Sequence, residues 1–296
     1  MRFFGSETAL FTGGGYGANA LLFSTLPQRG DLIVHDALIH ASAHEGMRLG
    51  RAEAVAFAHN DVDGAADAIA HWRRQGGVGM PWIAVESLYS MDGDRAPLAD
   101  FAALAERHDA MLLIDEAHAT GVFGPDGRGL AAEFDGRENV VVLRTCGKAL
   151  GCEGALILAS ATVRDFIVNR GRGFIFSTAP SPLIAAIVRD SLRALREEPE
   201  RRERLHALVR IAGQALEAIG LPASGSPIQP VVIGDDRRTM AVAQTLQGAG
   251  FDVRGVRPPT VPPGTSRLRV SVTLNITEAD IAALMTSLAP LLKDPM

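Results

Sequence analysis

Five short apolar runs constrain this chain more than any other feature: Asp31–His35, Trp82–Ser87, Met111–Asp115, Val140–Thr145 and Ala155–Ala159. None alternates apolar and polar residues as a strand with one wet face does, so each is expected to be buried on both faces. Helical patterns lie between or beside them, at Ile39–Leu49, Asp63–Arg74, Leu98–His108 and Thr162–Arg170. Unbroken strands spaced by helices predict an α/β fold with a mixed, mostly parallel sheet between helices.

After about Pro180 the character changes. A charge-laced helical stretch runs from Leu183 to Ile219, with a break expected near Pro199. A strand (Gln229–Ile233), a helix (Arg237–Gly250), a strand (Arg267–Thr273) and a last helix (Glu278–Leu292) follow. That order predicts a smaller C-terminal α+β domain, residues 181–296, beside a large domain of residues 1–180. The run Arg257–Pro263 is too proline-rich for a helix or a central strand and is expected to be a rigid loop.

Of the 296 residues, 47% are hydrophobic and 21% charged, enough apolar material for a core and too little charge for disorder. A net charge of −5 without a basic run gives no footprint for nucleic acid or an anionic membrane. No stretch approaches the roughly 18 apolar residues of a spanning helix, and the first residues lack the apolar core of a signal peptide. Two cysteines, Cys146 and Cys152, form no disulfide framework, as suits a reducing compartment. The expectation is a cytoplasmic protein, and nothing in the sequence suggests a metal site.

Three motifs carry chemistry. In Thr145–Gly151 (TCGKALG), Lys148 lies between two predicted strands, and its flanking glycines let the backbone bend and approach a ligand. Enclosed there, a lysine would be desolvated toward the neutral amine that forms an imine; by itself the segment fits a surface loop equally well. In Leu112–His118 (LLIDEAH), Asp115 closes an apolar strand, where ligand sites of α/β proteins lie. A carboxylate there can hold a ring nitrogen protonated, and His118 can reach a neighbouring ring oxygen; alone, the pair reads as a capping Asp and a solvent-facing His. In Thr12–Asn19 (TGGGYGAN), glycine-rich backbone ahead of a helical pattern can cradle a phosphate. The run is neither a dinucleotide fingerprint nor a P-loop.

In this order the three motifs match a fold-type I enzyme dependent on pyridoxal 5'-phosphate (PLP). Further stretches resemble the α-oxoamine synthase family: Ala58–Asp61, Ser90–Asp94, Ile114–Gly121, Gly127–Gly129 and Thr145–Gly151. Val256–Pro262 followed by Gly264–Arg269 is similar to the branch of that family that makes 8-amino-7-oxononanoate. The resemblance runs from Arg2 to about Leu292. It implies a fold-type I PLP-dependent transferase, an acyltransferase that condenses an amino acid with an acyl thioester and releases carbon dioxide. For this branch the substrates would be L-alanine and a pimeloyl thioester, on coenzyme A or a carrier protein, in a step of biotin synthesis. Glycine C-acetyltransferase activity, or a PLP-binding protein with little activity, are the alternatives.

The resemblance also implies roles. Lys148 would hold PLP as a Schiff base, Asp115 would pair with its pyridine nitrogen, and His118 and Ser90 would contact the ring hydroxyl. His40 would stack on the ring; on its own it reads as a half-buried histidine at a helix start. The backbone of Gly15 and Tyr16 would bind the phosphate with Thr145, and Ser177-Thr178 would reach the phosphate of the partner in a homodimer. Arg269 would hold the amino-acid carboxylate. The family usually has Gly where Ala119 stands and often Phe where Cys146 stands. It also carries a Gly/Ser-rich segment and a helix ahead of the position matched by Arg2–Gly5, so a shortened front and a weakened dimer are expected.

Overall fold

The computed structural model describes residues 2–293. In chain order its elements are β1 (Thr8–Thr12), α1 (Gly15–Thr25), β2 (Leu32–Asp36), α2 (Ala41–Leu49), β3 (Glu53–Phe57), α3 (Val62–Arg74), β4 (Pro81–Glu86), α4 (Leu98–Arg107), β5 (Met111–Asp115), β6 (Val140–Thr145), β7 (Ala155–Ala159), α5 (Ala161–Arg170), α6 (Arg172–Ile175), α7 (Pro182–Glu197), α8 (Pro199–Ala218), β8 (Ile228–Gly234), α9 (Asp236–Gly248), β9 (Arg254–Val256), β10 (Ser266–Ser271) and α10 (Glu278–Lys293).

Two compact units result. One takes in the chain up to Tyr89 together with Arg95–Glu198; the other holds Ser90–Asp94 and the chain from Pro199 onward. The change of unit therefore falls at the break near Pro199 and not at Pro180. The helical stretch divides there, α7 going with the first unit and α8 with the second.

The first unit is built on a seven-stranded sheet in the order β1-β7-β6-β5-β4-β2-β3. Strands β2 to β6 pair in parallel where they are neighbours, and β7 runs antiparallel to both β6 and β1. Every residue of β2 and β4 is buried, as their unbroken apolar runs predict. One apolar layer, including Phe101, Leu104 and Leu112, covers one face; another, including Leu22, Ile33 and Leu113, covers the other. Parallel pairing brings Glu86, Asp115 and Thr145 to the carboxyl ends of three adjacent strands, the edge where α/β ligand sites form.

Behind that edge Arg144, with no exposed side chain, ties the ends of β5 and β6 to their loops. Its NH1 donates to Glu116 Oε2 at 2.9 Å and to the carbonyl of Arg128; its NH2 donates to both Asp135 oxygens at 2.9 Å. The guanidinium also lies over the Phe4 ring, 4.4 Å from its centre. Arg144→Met would leave two buried carboxyls without their counter-charge, a loss worth about 3–5 kcal/mol. Urea unfolding is expected to show that drop; an unchanged midpoint would contradict it.

His35 on β2 and His44 on α2 meet edge to face at 5.0 Å. Burial pushes both imidazoles below their ordinary value, and for His44 the neighbouring His35, Arg48 and His40 add to it. The folded state therefore takes up protons less readily than the unfolded chain. Stability from this pair is whole above pH ~6.5 and declines below it, by at most about 1.4 kcal/mol per pH unit for each proton. Denaturant titrations from pH 7 to 5 should show the decline, and His35→Gln should flatten it.

The second unit carries a three-stranded antiparallel sheet in the order β8-β10-β9. Its core gathers Leu216, Val231, Leu246, Leu268 and Leu288. Within this unit Arg267 pairs with Asp92, and Arg269 Nε donates to the carbonyl of Ser90 at 2.7 Å.

Candidate active site

One pocket of the first unit is lined by Gly15, Tyr16, Asn19, His40, Ser42, Glu86, Asp115, Ala117, His118, Thr145 and Lys148. Every floor residue owes its place to the sheet. Glu86, Asp115 and Thr145 end β4, β5 and β6, and Lys148 follows β6 in a short loop. Gly15 and Tyr16 open α1, and His40 caps α2.

A hydrogen-bonded line crosses the pocket. Asp115 Oδ2 accepts from Asn19 Nδ2 at 2.7 Å, and Oδ1 accepts from the backbone N–H of Ala117 at 2.9 Å. The same Asn19 nitrogen donates to Ser42 Oγ at 3.0 Å. Ser42 Oγ stands 2.7 Å from His40 Nδ1, which also takes the backbone N–H of Ser42 at 3.2 Å. With two donors from Ser42, Nδ1 is the acceptor and the neutral ring carries its hydrogen on Nε2. Tyr16 meets the His40 ring edge to face at 6.4 Å.

Glu86 completes the floor. It is 2% exposed, and its Cα is the register partner of Asp115 on the neighbouring strand. Burial and then the Asp115 charge push its carboxyl well above the usual carboxylate range, against the pull of Lys148.

The donor set fits a ligand with a phosphate and a nitrogen-bearing ring. Helix α1 starts at Gly15 with no side chain capping it and no acid in its first turn, which suits an anion. A Cβ at Gly15 would come within 3.2 Å of Thr145 Cβ and Oγ1, so glycine keeps the helix end and that hydroxyl close. Asp115 offers a carboxylate for a ring nitrogen, and Oε1 of Glu86 and Oδ1 of Asn19 are buried without a hydrogen-bond partner.

The structure thus brings Lys148, Asp115, His118, His40, Thr145, Gly15 and Tyr16 to one place. Lys148 is exposed, not enclosed as the imine argument from sequence required, because its loop rises from the sheet edge on residues that are themselves exposed. His40 is both a helix-start residue and part of the pocket, and it is exposed where the sequence suggests half-burial. Thr178 is exposed in the segment after α6 and is not among the residues that line this pocket. Ser90 and Arg269 belong to the second unit, bonded to one another. Sequence reading passed over Glu86, Asn19 and Ser42. For Glu86 a signal existed, an acid closing an apolar run as Asp115 does.

Among the described residues no group of three or more His, Cys, Asp or Glu could hold a metal ion, and no helix is long and apolar enough to cross a membrane. The aminotransferase class I and II family matches residues 1–288. The 8-amino-7-oxononanoate synthase of Chromobacterium violaceum is 42% identical over 287 residues, 96% of this chain and 73% of the relative. That of Anaeromyxobacter dehalogenans is 41% identical over 291 residues, 97% of this chain and 72% of the relative. A serine palmitoyltransferase from S. paucimobilis, solved with bound PLP–myriocin aldimine, superposes with a TM-score of 0.89 at 31% identity, over 98% of this chain and 73% of that one. The 8-amino-7-oxononanoate synthase of Francisella tularensis gives 0.85 at 25% identity, over 99% and 84%.

Proposed function

This chain belongs to the aminotransferase class I and II family, and within it to the α-oxoamine synthases; from that premise we propose that it is a PLP-dependent acyltransferase that condenses L-alanine with a pimeloyl thioester, releasing the free thiol, carbon dioxide and 8-amino-7-oxononanoate. The observation that carries the reading is the meeting of Lys148, Asp115, His118, Thr145 and the start of α1 in one pocket. The choice of substrates rests on relatives about 40% identical that bear the synthase name.

PLP, when bound, supplies an electron sink that stabilises negative charge at the α-carbon of an attached amino acid. The chain's residues would do the rest. The N–H groups of Gly15 and Tyr16 and the hydroxyl of Thr145 would hold the phosphate at the positive end of α1. Asp115, fixed by Asn19 and Ala117, would keep the proton on the ring nitrogen. His118 would orient the ring oxygen, and the His40 ring would cover the face of the cofactor. Lys148 Nζ would anchor the cofactor covalently and take the α-proton of the amino acid. His118 or Lys148 would return a proton after carbon dioxide leaves. In a homodimer, Thr178 of one protomer would reach the partner's phosphate. Biotin synthesis in the cytoplasm is the setting this reading implies.

The test is turnover with matched pairs of substrates. L-alanine with pimeloyl-CoA is expected to release carbon dioxide and form 8-amino-7-oxononanoate at least about tenfold faster, in kcat/KM, than glycine with acetyl-CoA turns over, since missing methylenes in a fitted apolar site are worth roughly 1–3 kcal/mol. Preference for glycine and acetyl-CoA would assign the chain to another activity of the family.

A further inference from the structure

We propose that Glu86 and Asp115 form a carboxyl pair that carries a single proton, held by Glu86, and that Glu86 is a positioning residue: it leaves Asp115 as the one anion for the ring nitrogen. The positioning half rests on the PLP reading above; the shared proton does not.

The geometry makes the pair. Glu86 and Asp115 end adjacent parallel strands as register partners, and both line the pocket. Neighbouring parallel strands lie about 4.8 Å apart, so the two side chains leave adjacent backbone positions toward the same pocket, and like charges that close in a buried site do not readily ionise together. Their surroundings differ in the way that decides which one keeps the proton. Two donors converge on Asp115, from Asn19 and from Ala117, and a carboxylate meets both best. Glu86 is buried at the end of β4, and its Oε1 has no hydrogen-bond partner. A full charge on an oxygen without a donor is the costlier arrangement.

The charges facing Glu86 point the same way on balance. Asp115 on β5 and Asp36 at the end of β2 disfavour a further anion; Lys148, beyond β6, is the opposing group; His118 stands in the same pocket. As an acid, Glu86 adds no second negative charge beside Asp115 and gives the pocket a hydrogen-bond donor where an aromatic ligand has its acceptors.

Infrared difference spectroscopy on the full chain without PLP reads the proton directly. At neutral pH the parent should show the C=O stretch of a buried protonated carboxyl that disappears in Glu86→Gln. The band should survive in Asp115→Asn with its titration midpoint moved to lower pH, because the like charge has gone. Glu116 is also buried, but it answers to Arg144 and its contribution should not move in Asp115→Asn. Should Glu86→Gln fail to accumulate as folded protein, that shift in Asp115→Asn carries the test alone. PLP binding followed by fluorescence gives the second reading. Glu86→Gln, neutral and nearly the same shape as the acid, should stay within about threefold of the parent, and Glu86→Ala should weaken binding about tenfold. A band untouched by Glu86→Gln, or a midpoint unmoved in Asp115→Asn, overturns the shared proton. Equal PLP affinity of Glu86→Ala and the parent overturns the positioning role, and so does a chain with the band intact that binds no PLP.

Discussion

Lys148→Ala is expected to abolish the imine absorbance that PLP gives with the parent protein and to reduce turnover of L-alanine by at least about 10²–10⁴, the range a lost general acid–base group commands. The loss exceeds what a missing surface charge could do because two tasks end together, covalent anchoring of the cofactor and transfer of the α-proton. The variant should fold, since Lys148 is exposed and lies in a short loop after β6. It should also retain PLP without the covalent link, through the start of α1 and Thr145. Spectra and stopped-assay turnover on the same sample check both halves. A variant that keeps an imine band, or turns over within tenfold of the parent, would remove Lys148 from its role.

Asp115→Asn is expected to leave PLP bound more weakly yet slow exchange of the alanine α-proton by about 10²–10³, the size of a preorganised charge placed where charge develops. The local structure can absorb the change. Asp115 now accepts from Asn19 Nδ2 and from Ala117 N–H, and an amide can satisfy only one of these with its oxygen. Asn19 has an amide oxygen without a partner, so turning its side chain would let it accept from the new NH2 group. The deficit should therefore be electronic and not a collapse of the pocket. Deuterium exchange at the α-carbon followed by NMR measures it, with thermal unfolding as the control. Near-normal exchange in a folded, PLP-bearing variant would contradict the assignment.

Most of the first unit was legible because β2, β4, β5, β6 and β7 are unbroken apolar runs. Strand β3 was not, because it is an edge strand with four of its five residues exposed and so shows no apolar run. Strand β1 was hidden because it is five residues long and runs directly into the glycine-rich loop, and only pairing with β7 marks it as a strand. The reversed direction of β7 could not be read from a short apolar run, which looks the same whichever way it points. In the pocket, Asp115, Lys148 and the glycine loop announced themselves through local motifs. Asn19 and Ser42 did not, since polar residues inside helices look like solvated faces until the fold closes 96 residues of separation to bring Asn19 onto Asp115. The glycines beside Lys148 suit an enclosed lysine and a surface loop equally well in sequence, and they belong to an exposed loop. Local sequence thus carried the chemistry, and long-range closure decided which polar residues supported it.

The central claim is that PLP is held covalently by Lys148, and the composition makes it unusually open to a direct test: the chain has two lysines, Lys148 and Lys293. Reduction of the PLP-loaded protein with borohydride, proteolysis and mass spectrometry locates the trapped pyridoxyl group. One group per chain on the peptide that contains Cys146-Gly147-Lys148 is the predicted result. A group found on Lys293 or on the N-terminal amine, with Lys148 unmodified, would contradict it.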